Sequence, residues 1–177
     1  MTTPVGTEER PAAPTVRRRA WVSGLVAASC VMYVAVLLYV LFFQAGRGMV
    51  VTSADMLDNY DYWNSVNLVP FKTIGQYVMN VIDGNARVHA IANLCGNLAL
   101  LAPAGLYLPF FVRALRKARA YGVVIVAVII VIEVVQLATK SGSLDIDDAM
   151  LNLAGAFIGY GVVMGTPLRG LFRFRAW

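Results

Sequence analysis

The sequence has few of the residues that a soluble protein places on its surface. Only 14% of its 177 residues are charged, whereas 59% are hydrophobic, and the mean hydropathy is +0.66. This balance excludes an ordinary soluble domain and predicts several membrane spans, each of which needs about 20 apolar residues. The length fits one compact membrane domain.

Cysteine and histidine are nearly absent, with two residues and one residue, respectively. Cys30 and Cys95 both lie within apolar runs, so we expect neither a disulfide framework nor a cysteine-based metal site. The sequence has no nucleophile elbow, P-loop or HExxH motif, and we expect no cofactor. No internal repeat is present, which argues against a repeat-built transporter.

The net charge of +5 does not indicate a nucleic-acid partner, because the sequence contains no basic face with interleaved aromatic residues. The basic residues instead flank the apolar runs, as signals of membrane orientation do. They occur before the first run, between the second and third, and in the last ten residues. The positive-inside rule therefore predicts a multi-pass membrane protein with four crossings and both termini in the cytoplasm. Seven of the ten acidic residues then lie on the outer side.

Four apolar runs define the predicted fold, an all-α membrane protein with a four-helix transmembrane bundle. The runs cover about residues 20–43, 87–112, 120–138 and 146–166. The first is too long for the apolar core of a signal peptide. Pro103, Gly105 and Pro109 predict a kink or break in the second. Between the first two spans, Thr73 is predicted to cap a short interfacial or re-entrant helix that ends near Ile82.

The predicted organisation has three parts. Residues 1–19 are expected to form a disordered basic cytoplasmic tail, residues 20–167 the transmembrane domain, and residues 168–177 a second basic cytoplasmic tail.

Polar side chains recur at intervals of three or four near the outer ends of three spans, so each set shares one helix face. Because unsatisfied polar groups are costly in lipid, we expect the three faces to meet in a polar pocket that opens outward. The segment NLVPF, residues 67–71, could cover it. The nine predicted ligand-binding residues are His89, Asn93, Asn97, Glu133, Gln136, Lys140, Asp145, Asp148 and Asn152.

Three interpretations of these residues stay open. The carboxylates and amides could bind an amine, sugar or peptide group of an outer ligand. Asp145, Asp147, Asp148 and Glu133 are also hard oxygen ligands for a divalent ion, and with His89 they could act on a lipid-linked phosphate. Alternatively, amides and an ion pair between Glu133 and either Lys140 or Arg87 simply join the helices.

Three segments resemble the VanZ-like membrane proteins. They are NLVPFKTI from Asn67, NLCGNLALLAPAGLYLP from Asn93, and IEVVQLATKSGSLDIDDAMLNLAGAFIGY from Ile132. The third segment is the most specific, and together they cover roughly residues 60–165. The sequence departs from the family pattern at Leu101, where an aromatic residue is usual, and at Lys140, where arginine is common.

The resemblance implies a bacterial plasma-membrane protein. The member that gives the family its name is linked to resistance to the glycopeptide teicoplanin. The expected partner is therefore a membrane lipid, an envelope precursor or the antibiotic, bound at the outer face. The alternative is a metal-dependent enzyme that acts on a lipid-linked envelope substrate.

Overall fold

The structure is a computed structural model, and it describes residues 16–41, 66–84, 87–139 and 143–174. In these ranges, four helical segments are long and apolar enough to cross a membrane, as the sequence predicts. A shorter helix lies between the first two, so the predicted fold class is confirmed.

The helices and strands have the following bounds. In chain order they are α1 (Val16–Tyr39), β1 (Val66–Asn67), α2 (Lys72–Asp83), α3 (Arg87–Leu100), α4 (Ala104–Phe111), α5 (Ala118–Ala138), β2 (Leu144–Asp145) and α6 (Ile146–Gly165). Two 3₁₀ helices cover Arg113–Arg116 and Pro167–Phe174.

The second span is broken, as its prolines predict. Helix α3 ends at Leu100, and α4 begins at Ala104 after a turn that contains Pro103. A proline has no backbone N–H to continue a helix, so a turn at this point costs little further hydrogen bonding. Pro109 lies inside α4, and its carbonyl oxygen accepts a hydrogen bond from Nε of Arg116 at 3.1 Å.

The core of the bundle lies where α4, α5 and α6 meet. Tyr121 of α5 is fully buried, stacks on Tyr160 of α6 with ring centroids 4.6 Å apart, and donates a hydrogen bond to the carbonyl of Ala156 at 3.0 Å. Tyr160 donates to the carbonyl of Arg116 at 2.6 Å. Both buried hydroxyls therefore have partners, as polar groups in an apolar core require.

Two glycines of α6 allow close contact with the broken second span. A Cβ at Gly155 would overlap the carbonyl oxygen of Leu98, and a Cβ at Gly159 would overlap that of Ala102. Small residues at such crossings let helix backbones approach each other. Gly161 of the same helix makes no such contact, because it is exposed and a Cβ there would meet nothing within 4 Å.

The start of α1 packs against the C-terminal 3₁₀ helix at the end of the bundle opposite the start of α6. The first turn of α1 contains Arg17, Arg18 and Arg19, which the sequence predicts to lie in the N-terminal tail. The guanidinium of Arg18 lies 5.5 Å from the ring centroid of Phe174, and Ser23 donates a hydrogen bond to the carbonyl of Phe174 at 2.7 Å. The described part of the C-terminal segment is thus a helix packed against α1.

A short parallel pairing sets the position of the segment before α2. Val66 pairs with Leu144, and Asn67 pairs with Asp145. Strand β2 leads directly into α6, so the pairing holds residues 67–71 against the N-terminal end of that helix. We call this segment the 67–71 loop. The sequence patterns did not predict the strand pairing.

Candidate functional site

The candidate site begins at the N-terminal end of α6. Asp145 is the N-cap residue, and its Oδ1 accepts a hydrogen bond from the backbone N–H of Asp147 at 2.8 Å. A helix leaves its first amide groups without partners, so an aspartate at this position is favourable. Asp147 and Asp148 follow in the first turn, where the helix dipole favours negative charge.

Asp147 is fully buried and binds the start of a different helix. Its Oδ1 accepts a hydrogen bond from the backbone N–H of Phe71 at 2.6 Å. Its Oδ2 accepts from the backbone N–H groups of Thr73 and Ile74 at 2.7 and 3.0 Å. One carboxylate therefore satisfies three amides at the N-terminal end of α2, and it fixes the 67–71 loop to α6.

The capping role predicted for Thr73 is wrong. Helix α2 begins at Lys72, so its N-cap position is Phe71, two residues before Thr73, and the side chain of Phe71 makes no capping hydrogen bond. The Thr73 hydroxyl instead donates to Oδ2 of Asp145 at 2.6 Å. The amide of Asn67 donates to the Thr73 hydroxyl at 3.0 Å and to Oδ1 of Asp145 at 3.1 Å. Thr73 thus links the loop to α6 through its side chain.

Two further contacts join the site to α3 and α5. The side-chain amide of Asn97 in α3 donates a hydrogen bond to Oδ1 of Asp148. The backbone N–H of Asp145 donates to Oε2 of Glu133 in α5 at 3.2 Å. We call Glu133, Asp145, Asp147 and Asp148 the acidic cluster.

Three oxygen atoms at the cluster have no hydrogen-bond donor among the described residues. They are Oε1 of Glu133, Oδ2 of Asp148 and Oδ1 of Asn152. Asn152 is only 5% exposed and lies one helical turn after Asp148 on the same face of α6. Of the three, only Oδ1 of Asn152 is a fully buried atom, and a buried acceptor without a donor is costly, so Asn152 distinguishes this region from ordinary helix packing.

The structure does not bring all nine predicted residues together. Asp145, Asp148 and Asn152 lie at the start of α6 or within its first two turns, and Asn97 of α3 and Glu133 of α5 make hydrogen bonds to this end of the helix. His89 is exposed, and eight residues separate it from Asn97, which is about 12 Å along a helix.

The other predicted residues have different surroundings. Asn93 is half-buried and makes no hydrogen bond to the cluster within the described ranges. The Gln136 amide donates to the carbonyl of Leu41 at the end of α1, at 3.2 Å, and so faces another neighbour. Lys140 lies outside the described residues.

Comparison with known proteins identifies the family. The sequence profile of the VanZ/LLP1 family matches residues 30–172, which include every residue of the site described above. The chain belongs to the VanZ/LLP1 family. Searches among curated proteins and among solved structures gave no match. The resemblance carried by the three sequence segments is thus confirmed at the level of the family.

Sequence reasoning missed how far the 67–71 loop and α2 contribute to this VanZ-family site. The sequence pattern indicates that Asp147 is an oxygen ligand for a metal or part of an acidic helix start, and that Tyr77 belongs to an apolar helix face. Burial and the nearby carboxylates of Asp148 and Asp145 raise the pKa of Tyr77 above its ordinary value of 10.0. The raised pKa favours the protonated form of the Tyr77 hydroxyl beside the cluster. One sequence feature could have revealed the role of the loop. Polar Asn67 and Thr73 lie on either side of a short apolar segment.

The hydrogen bonds of the acidic cluster also determine which of its oxygen atoms could bind a divalent ion. Both carboxylate oxygens of Asp145 and both of Asp147 already accept hydrogen bonds from the chain. In the part of the chain that the structure describes, no three His, Cys, Asp or Glu side chains are grouped so that they could hold a metal ion. Two of the four acidic residues therefore serve to join helices in this conformation.

Proposed function

We propose that this VanZ-family protein binds the headgroup of a membrane lipid or lipid-linked envelope precursor at the outer face of the bacterial plasma membrane. The observation that carries the proposal is the cluster itself. Helices α3, α5 and α6 each direct a polar side chain to one end of the bundle, and three oxygen atoms there have no described donor. Helix packing alone gives no reason to retain such atoms.

The distribution of charge supports the outward orientation. Arg18, Arg116 and Arg173 lie at one end of the bundle, with the guanidinium of Arg116 4.4 Å from the ring centroid of Phe172. The acidic cluster lies at the other end. By the positive-inside rule, the basic end and both termini are cytoplasmic. Fusions of a fluorescent protein and of a periplasm-dependent phosphatase to the C-terminus test this orientation, and an active phosphatase fusion would reverse it.

The tip of the 67–71 loop supports an amphiphilic ligand. Leu68, Val69 and Phe71 are 61%, 59% and 64% exposed, although their backbone is held against the acidic cluster. A site with carboxylates beside an exposed apolar segment suits a molecule that has both a polar headgroup and hydrocarbon chains.

Binding accounts for the geometry better than the metal-dependent reaction does. A divalent ion needs several convergent oxygen ligands. The oxygens of Asp145 and Asp147 would have to give up hydrogen bonds that hold α2 and α6 together. We therefore propose recognition rather than catalysis.

The proposal is tested in a strain that lacks the gene and is complemented with variants. We expect wild-type protein to co-purify with a defined envelope lipid and to lower susceptibility to teicoplanin. Glu133→Gln and Asp148→Asn should reduce both effects at unchanged protein level. The matched control is Asp83→Asn, which removes a carboxylate at the exposed end of α2, outside the cluster.

Two outcomes would count against the proposal. One is a lipid profile of the purified protein that does not differ between wild type and the cluster variants. The other is an equal loss in the Asp83→Asn control, which would assign the effect to surface charge in general. The cluster variants could instead lose lipid selectivity without any change in teicoplanin susceptibility. That result would support the headgroup site and show that the antibiotic is not one of its ligands.

A further inference from the structure

The acidic cluster combines burial with an absence of described positive charge. Glu133, Asp145 and Asp147 are 7%, 6% and 0% exposed. No described Lys, Arg or His forms a salt bridge with any residue of the cluster. Buried carboxylates are costly unless a positive charge or hydrogen-bond donors compensate them. The backbone and side-chain donors already described satisfy Asp145 and Asp147, but they leave one oxygen of Glu133 and one of Asp148 unused.

Asn152 adds an independent observation. Its side chain is 95% buried by the same measure, and its Oδ1 has no partner in the described residues. It lies one turn below Asp148, on the helix face that carries the acidic cluster. An unused buried acceptor is costly, so this position favours a donor that the described residues do not supply.

The three unused atoms are all acceptors, and two of them belong to carboxylates. A phosphate, a carboxylate or a sulfate would be repelled by such a site. A primary ammonium group has three N–H donors, one positive charge and no acceptor, so it matches the unused atoms in both number and sign.

We infer that the acidic cluster recognises the protonated primary amine of a membrane-lipid headgroup, through Glu133, Asp148 and Asn152. The inference rests on the proposed function and specifies its ligand. The exposed apolar tip of the 67–71 loop favours a lipid as the source of the amine, because a free soluble amine would gain nothing from Leu68 or Phe71.

Calorimetric titration of the full-length protein in detergent tests the inference with four probes. They are short-chain phosphatidylethanolamine, its N-acetyl derivative, phosphatidylglycerol with the same chains, and free ethanolamine. N-acetylation removes the positive charge and retains the phosphate and the acyl chains. We expect phosphatidylethanolamine to bind at least about tenfold more tightly than either other lipid. Free ethanolamine should bind more weakly than phosphatidylethanolamine.

Variants assign the preference to the cluster. Glu133→Gln and Asp148→Asn should reduce the preference for the amine over the N-acetyl lipid to about onefold, whereas Asp83→Asn should leave it unchanged. Asn152→Leu is the second type of variant, since it removes the buried unpaired acceptor and keeps the branched shape of the side chain. It should raise the unfolding temperature and lower the affinity for the amine, a combination that a purely structural residue would not produce.

Each failure has a distinct meaning. Equal affinities for the three lipids, all weakened by Glu133→Gln, would overturn the amine inference and leave headgroup binding in place. Lipid affinities that no cluster variant changes would overturn both proposals. Free ethanolamine that binds as tightly as the lipid would overturn the assignment to a lipid. A more stable Asn152→Leu protein with unchanged amine affinity would remove Asn152 from the site.

Discussion

The carboxylate of Asp147 in α6 accepts a hydrogen bond from the backbone N–H of Thr73 in α2 at 2.7 Å, across 74 residues of sequence. This contact places the start of one helix on the first turn of another. It makes the position of the 67–71 loop depend on a side chain that is fully buried. The order of the loop and the geometry of the acidic cluster are therefore linked.

The first prediction concerns this link. Asp147→Asn keeps the shape of the side chain but replaces one acceptor oxygen with a donor group, which would face backbone N–H groups. We expect the free energy of unfolding to fall by about 1–3 kcal/mol. Amide hydrogen exchange should accelerate at Phe71, Thr73 and Ile74. Thermal unfolding in detergent and exchange measured by mass spectrometry check both effects, and exchange unchanged from wild type would refute the capping role.

The hydroxyl of Thr73 gives a second, smaller test. Thr73→Val removes the donor to Asp145 and the acceptor for Asn67 at nearly constant volume. We expect a loss of about 1 kcal/mol and faster exchange within the 67–71 loop. Thr73→Ser keeps the hydroxyl and is the matched control. If Ser and Val variants unfold at the same temperature, the hydroxyl does not stabilise the loop.

The glycines of α6 provide a third prediction with a control in the same helix. Gly155→Ala places a methyl group against the carbonyl oxygen of Leu98, so α3 and α6 must separate. We expect a destabilisation of about 1–3 kcal/mol. Gly161→Ala meets open space and should be neutral or slightly stabilising, because alanine favours the helix. Equal unfolding temperatures for the two variants would show that the close contact is absent.

The backbone of Phe71 gives a fourth prediction. Its φ of 65° lies in the left-handed region, which costs a non-glycine residue roughly 1–2 kcal/mol. Its side chain is 64% exposed, so little packing is lost when it is removed. Phe71→Gly should therefore raise the unfolding temperature. Leu68→Gly removes an equally exposed side chain where φ is not positive and should lower it. If the unfolding temperature falls by a similar amount in both variants, the exposed side chain of Phe71 stabilises the protein more than its left-handed backbone destabilises it.

A fifth prediction follows from the raised pKa of Tyr77. The folded protein holds this proton more tightly than the unfolded chain does. The resulting stabilisation is complete below the unfolded pKa of 10.0 and is lost as the pH rises through the folded pKa. Tyr77→Phe should remove this part of the alkaline destabilisation. Unfolding of both proteins at pH 8 and pH 11 measures the difference, and identical pH dependence would contradict the prediction.

Much of the fold is predictable because it depends on local properties of the chain. Span length and hydropathy locate four membrane helices, and Pro103 locates the break in the second. Helical periodicity also indicates that Asp148 and Asn152 share a face. These inferences need only the rise of a helix and the cost of polar groups in lipid.

The partners of each face could not be predicted in this way. Periodicity places Gly155 and Gly159 on one helix face, but it does not show that this face packs against Leu98 and Ala102. It groups exposed His89 with Asn97, although only Asn97 reaches Asp148. It also does not show that Gln136 bonds to Leu41 at the end of α1 rather than to the cluster.

The sequence by itself determined that this is a four-span membrane protein of the VanZ/LLP1 family with acidic and amide residues near one end of its helices. Only the tertiary structure decided that Asp145 and Asp147 join helices, and that oxygens of Glu133, Asp148 and Asn152 are left without described donors. The physical reason is that a hydrogen bond depends on the position and direction of both partners. For residues separated by a whole span, these are set by packing and not by local sequence.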